Sequence, residues 1–169
     1  NHPYRGAQSK PSIWAWVRPN GMRNPYGAYK CITMEDTRFL HCNIKTINLL
    51  PAVIANQRAE EAGCDETIFH RGDRVTECSH SNVHIIKDGV LHTAPCDNLI
   101  LPGIVRQHIL QLCGELGIPV VEEPFTMDEL MAADEVFFSS SSALTSRVCE
   151  IDGKPVGMKD EKTFAAIRD

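Results

Sequence analysis

Apolar and polar positions change their period several times along the chain, and each change marks an element. Residues 29–35 (YKCITME) alternate and are rich in β-formers, which predicts a strand. Leu50, Val53, Ile54 and Gln57 then recur at helical spacing up to Gly63, which predicts a helix holding Pro51 in its first turn. Residues 65–71 (DETIFHR) read as a strand, and Gly72-Asp73 turns the chain into the next one. Residues 82–93 read as a hairpin with Asp88-Gly89 at its tip. Val105, Ile109, Leu112 and Leu116 mark one face of a second helix that stops at Gly117. Residues 119–125 predict a strand, and Thr126 and Glu129 stand in capping-box register for a short third helix. Residues 135–141, 147–152 and 154–157 finish as strands, with Asp152-Gly153 turning the last pair.

These elements predict a mixed α/β domain of the α+β kind, with strands mostly linked by hairpins and about three helices between them, and not an alternating βαβ chain. The front differs. Residues 13–17 (IWAWV) read as one strand, followed by Pro and Gly punctuation. A lone strand cannot make its own sheet, so we expect its partners to lie outside this chain.

Composition narrows the class. The 169 residues, 43% of them hydrophobic, suffice for one domain with a real core. A net charge of -5 argues against a general nucleic-acid binder, which would carry a basic face. The apolar runs are too short to cross a membrane, and no charged-then-apolar targeting pattern opens the sequence. The seven cysteines are spread out with no C-x-x-C pair, which fits reduced thiols and a cytoplasmic setting. The histidines form no H-E-x-x-H or H-x-x-x-H pattern, so no metal site is expected.

Three features carry candidate chemistry. Lys45 stands between Ile44 and Ile47, and the next charged residue downstream is Arg58. A lysine isolated among apolar groups loses its charge more readily, as a Schiff-base amine must. Glu77 (in RVTECSHSN) ends a strand at a run of small polar residues, where a carboxylate suits a protonated heterocyclic nitrogen such as that of pyridoxal phosphate (PLP). Gly103 precedes the second helix, whose first amides can bind a phosphate, and the serines of FFSSSSALTS can complete such a cup.

At these residues the sequence resembles the class IV aminotransferases, the fold-type IV PLP enzymes, and among them most closely those acting on D-amino acids. The stretches that carry the likeness are CNIKTINLL, CDETIFHRGDRVTECSHSNVHIIKDGVL, DNLILPGIVR, PFTMDEL and EVFFSSSSALTS. The resemblance implies that Lys45 holds PLP and moves the proton, and that Glu77 bonds the pyridine nitrogen. It implies that Leu101 packs behind the cofactor ring. Ile104 and Val105 would hold the phosphate by their amides, and Ser140 and Ser141 would serve it from the other side. Ser79, His80 and Ser81 would form the loop beside the cofactor. Glu66 and His2 would serve the substrate pocket, His2 as the histidine of an R-x-H motif.

The sequence departs from the family pattern where Val105 replaces a threonine, Cys78 a glycine and His80 a serine. The family also carries a small N-terminal domain. The resemblance therefore implies that residues 1–27 are the remnant of that domain and its linker, and residues 28–169 the PLP-binding large domain. The implied activity is amino transfer between D-alanine and 2-oxoglutarate, in a homodimer whose partners are small amino and 2-oxo acids. A non-catalytic PLP-binding remnant and a lyase of the aminodeoxychorismate type remain as alternatives.

Overall fold

The computed structural model describes residues 10, 12–17, 19, 21 and 23–169. Strand β1 (Ala28–Glu35) leads through a long loop into helix α1 (Leu50–Glu61) and strand β2 (Glu66–Arg71). Strands β3 (Arg74–Cys78), β4 (Asn82–Lys87) and β5 (Val90–Thr93) follow, then helix α2 (Ile104–Leu116). Next come β6 (Val120–Val121), α3 (Met127–Ala132), β7 (Glu135–Ser140), β8 (Leu144–Ile151), β9 (Lys154–Pro155) and α4 (Glu161–Arg168).

All nine strands join one mixed sheet, in the order β3-β2-β1-β8-β7-β4-β5-β6, with β9 against β8. β1 lies parallel to both β2 and β8. Hairpins dominate as expected, but α1 and α2 make true crossovers, because β1–β2 and β5–β6 are parallel pairs. Asp88 and Gly89, and again Asp152 and Gly153, all have positive φ, as a two-residue turn between twisted strands requires.

The core explains why β4 and β7 read as almost continuous apolar runs. Successive strand residues face opposite ways, and here both faces are covered. Ile85 and Phe138 enter one cluster with Ile68, Val83 and Val136. Ile86 and Phe137 enter the other, under α2 and α4, with Leu91, Ile109 and Phe164.

Several expectations change. The helix α1 forms where predicted, with Pro51 in its first turn. Its buried face is nevertheless Ala55 and Ala59, whose small side chains let the helix backbone approach β2; Thr67 Oγ1 donates to Ala55 O at 2.8 Å. The stripe of Leu50, Val53 and Ile54 stands exposed instead. In α2 the buried face is Arg106, Ile109 and Cys113, turned from the predicted one so that Leu116 is exposed. Arg106 can be buried because its guanidinium donates to Ala94 O and Glu122 Oε2 at 2.9 and 2.8 Å. The strand predicted over 119–125 shrinks to Val120–Val121, since prolines at 119 and 124 interrupt ladder pairing.

A fourth helix, α4, has no counterpart in the sequence pattern. It has only two large apolar residues, Phe164 and Ile167, but Asp160 Oδ1 caps it by accepting from Thr163 N at 3.1 Å. Glu161 also pairs with Arg147, which in turn bonds buried Glu135.

Residues 13–17 do not form the expected strand, and Ile13, Trp14, Trp16 and Val17 are exposed. A strand without a neighbour gains no ladder. With the α1 stripe, they give the chain a large apolar surface. The isolated chain should therefore self-associate, and Trp14→Ser with Val53→Gln should reduce this. Light scattering over a rising concentration series checks it, and a monodisperse monomer of the parent chain would contradict it.

Candidate active site

The loop from β1 to α1, the β3–β4 turn, the start of α2 and the β7–β8 turn converge on one cavity of about 610 Å³. Lys45 reaches it from the β1–α1 loop. Ile44 and Ile47 do not shelter that amine as the sequence suggested, because they are 56% and 96% exposed. Glu77, near the end of β3, faces the same cavity. So do Ser79, His80 and Ser81 from the β3–β4 turn, and Leu101, Ile104 and Val105 around the start of α2. Ser140 and Ser141 complete the wall from the β7–β8 turn. Residues that lie far apart in sequence are thus brought together. His2 lies outside the described residues.

Glu66 occupies a different place. It opens β2, fully buried, behind the β3–β4 turn and off the cavity wall. Its carboxylate accepts from Thr67 N at 2.8 Å, Ser81 Oγ at 2.8 Å, Ser79 N at 3.2 Å and the Ser79 hydroxyl. It fixes the turn from behind.

The Glu77 carboxylate is buried and held from two sides. One oxygen accepts from the Arg38 guanidinium. The other accepts from Leu101 N at 3.0 Å and Asn82 Nδ2 at 3.1 Å. Arg38 is itself clamped by Asp36, with Nε and one terminal nitrogen each at 2.9 Å from a carboxylate oxygen. Arg71 and Thr76 bond the same Asp36 at 3.2 and 3.0 Å. Burial pushes the Glu77 carboxyl up to about 7, against the pull of Arg38. Asp36 lies below the ordinary carboxylate range: desolvation resists, but its bonds to Arg38 outweigh it.

At α2, Gly103 is the N-cap and provides no side-chain cap, so the first amides stay available at the positive end of a helix dipole. Gly103 is required by close packing. A Cβ there would lie 2.2 Å from Asn82 Oδ1, and Asn82 cannot yield freely, since it bonds both Glu77 and Leu101 O.

Sequence reasoning missed Arg38, Asn82 and Arg106, all of which face the cavity. The signal for Arg38 was its place two residues after Asp36, just past a strand end; nothing local marks Arg106 as buried. The departure of Val105 is visible too: its isopropyl group brings no hydroxyl to the wall.

This arrangement offers an amine, a buried acid and a helix start that suits an anion. A family model described as amino-transferase class IV matches residues 5–151. The chain belongs to the class IV aminotransferases. A D-alanine aminotransferase of Listeria monocytogenes (strain 10403S) is 51% identical over 125 residues, 74% of this chain and 43% of that protein. A D-alanine aminotransferase of Staphylococcus aureus (strain COL) is 42% identical over 160 residues, 92% of this chain and 56% of that protein. Among solved structures, a branched-chain aminotransferase from the thermophilic archaeon Thermoproteus uzoniensis, with norvaline, superposes with a TM-score of 0.74 at 29% identity. That likeness covers 89% of this chain and 52% of the other. The chain thus spans about half the length of the class IV aminotransferases it matches.

Between pH 4.5 and about 7 the folded chain holds a Glu77 proton that the unfolded chain releases. Glu77 therefore stabilises the fold below pH 4.5, and that stability is lost as pH rises through about 7. Glu77→Gln should flatten the urea-stability profile in this window, by on the order of 1 kcal/mol per pH unit; an unchanged slope would refute the assignment. Gly103→Ala should displace Asn82 and cost about 1–3 kcal/mol, read as a lower urea midpoint, and a neutral substitution would count against the packing described.

Proposed function

We propose that residues 28–169 bind PLP and form the cofactor-binding part of a transaminase that exchanges an amino group between D-alanine and 2-oxoglutarate. The observation that carries this reading is that Lys45 and the buried Glu77 share one cavity with the uncapped start of α2. The groups fit the cofactor: an amine for its aldehyde, a carboxylate for its ring nitrogen, amides and hydroxyls for its phosphate.

When bound, PLP supplies an electron sink for the substrate carbanion. The chain's own residues do the rest. Lys45 would hold the cofactor through Nζ, and its free amine would serve as the base that takes a proton from the substrate α-carbon and as the acid that gives it back. The Glu77 oxygen that accepts from Arg38 keeps a second lone pair for a protonated ring nitrogen. That positive partner favours the ionised carboxyl, which burial alone disfavours. Leu101, held by its amide to Glu77, would supply an aliphatic wall for the ring. Ile104 and Val105 offer backbone amides to a phosphate, and Ser140 and Ser141 line the same cavity. Ser79, His80 and Ser81, which line the same cavity, would flank the cofactor. We assign Glu66 an indirect part in the substrate pocket, through the turn it holds.

The D-alanine specificity rests on the Listeria and Staphylococcus relatives. We further infer a cytoplasmic homodimer; the seven unpaired cysteines and the exposed α1 stripe support it. Among the described residues, no helix is long and apolar enough to cross a membrane.

Borohydride treatment of the PLP-soaked chain should fix the cofactor covalently at residue 45, seen by intact mass and peptide mapping. Lys45→Ala should abolish the adduct. A coupled assay should then detect pyruvate from D-alanine with 2-oxoglutarate. An adduct without pyruvate would mean cofactor binding without turnover, and an adduct on another lysine, or none, would end the proposal.

A further inference from the structure

The turn between β3 and β4 is closed by Cys78 N, which donates to Ser81 O at 2.8 Å. Both serine hydroxyls of the turn point inward to Glu66. His80, at the tip, lies on the cavity wall with its side chain 46% exposed. Its Nδ1 is 2.9 Å from Ser79 Oγ and 3.1 Å from Glu66 Oε2.

These contacts fix the tautomer. A serine hydroxyl has one proton, and Ser79 gives it to Glu66 Oε1. Its oxygen can therefore only accept from His80. A carboxylate oxygen can only accept as well. With two acceptors facing Nδ1, the hydrogen of the neutral ring sits on Nδ1 and the lone pair on Nε2. An acceptor that orients an imidazole through one nitrogen, here a hydroxyl anchored on a carboxylate, leaves the other free for proton transfer.

We propose that His80, oriented by Ser79 and through it by Glu66, is a second proton-transferring residue of this cavity, exchanging protons with solvent through Nε2. The inference rests on the PLP reading of the cavity and deepens it by dividing the work: Lys45 moves a proton within the bound substrate, and His80 trades protons between the cavity and water. In the exchange Nε2 takes a proton from the Lys45 ammonium, by way of solvent in the shared cavity, and leaves that amine neutral. The imidazolium keeps its Nδ1–H on Ser79 Oγ, with the Glu66 carboxylate beside it, then gives the Nε2 proton to water, which restores the neutral ring. Facing it are Glu66 from beneath and, from other parts of the cavity wall, Lys45, Glu77, Arg38 and Arg106. The position is also where this chain departs from the family serine, whose hydroxyl does not titrate near neutral pH.

Two measurements test this. Long-range proton–nitrogen spectra of the full chain without cofactor, between pH 5 and 8, should show the neutral His80 ring with hydrogen on Nδ1, a signal absent in His80→Ser. Glu66→Gln should shift population toward the other tautomer. A wild-type ring with hydrogen on Nε2 would overturn the proposal with no variant needed. Next, the PLP-loaded protein is incubated with D-alanine in deuterium oxide. Recovered D-alanine should carry solvent label, and His80→Ser should lower the labelled fraction severalfold when it is scored per mole of borohydride adduct at Lys45. An unchanged fraction with the adduct present overturns the exchange role. Loss of the adduct in the wild type defeats the cofactor reading instead, and the tautomer spectrum then decides the orientation by itself.

Discussion

A buried carboxylate needs a counter-charge, and the chain of Asp36, Arg38 and Glu77 meets that need around the cavity. Desolvation of an acid in a protein interior favours its neutral form. Arg38 opposes this at Glu77, and Asp36 holds Arg38 in place with two parallel bonds of the kind that suit a guanidinium fork. Arg38 also lies over the Phe69 ring, 4.9 Å from its centroid, so its planar group is fixed on a face as well as at its edges. Glu77 in turn fixes Leu101 and Asn82. Two cavity walls thus share one electrostatic anchor.

The anchor works because it joins segments that the sheet already brings close. Asp36 follows β1, while Thr76 and Glu77 belong to β3, two strands away in the sheet order. The Thr76 hydroxyl bridges that gap by bonding Asp36. A second, separate group at Glu66 sets the β3–β4 turn. Two buried acids with different surroundings thus support the cavity: Glu77 on its wall opposite an arginine, and Glu66 behind the turn among hydroxyls and amides.

Much of this was legible from local pattern. Alternation gave β1, Asp-Gly pairs gave the hairpin tips, and the Thr126–Glu129 capping box formed as read, with both reciprocal bonds present. Lys45 and Glu77 were singled out as candidates by residue type, and the fold brings both to one cavity, although the apolar setting read for Lys45 does not form. What local pattern missed was governed by partners distant in sequence. Arg106 reads as polar yet is buried, because one of its terminal nitrogens donates to both Ala94 O and Glu122, although its Nε has no partner among the described residues. The apolar stripe of α1 reads as a core face, yet two alanines made the closer fit to the sheet. Helix α4 is short of apolar residues, and its support comes from Arg147, Glu135 and a ring contact with Phe137.

The parallel pairing of β1 with β2, Cys31 opposite Glu66 through Glu35 opposite His70, has a bearing on chemistry as well as on shape. Strand side chains alternate faces, so sliding β1 by a single residue would send Asp36 to the wrong side and leave the arginine unmoored. The acidity of a group on β3 is in that sense written into the alignment of two other strands, which makes ladder slippage a chemical lesion before it is a structural one.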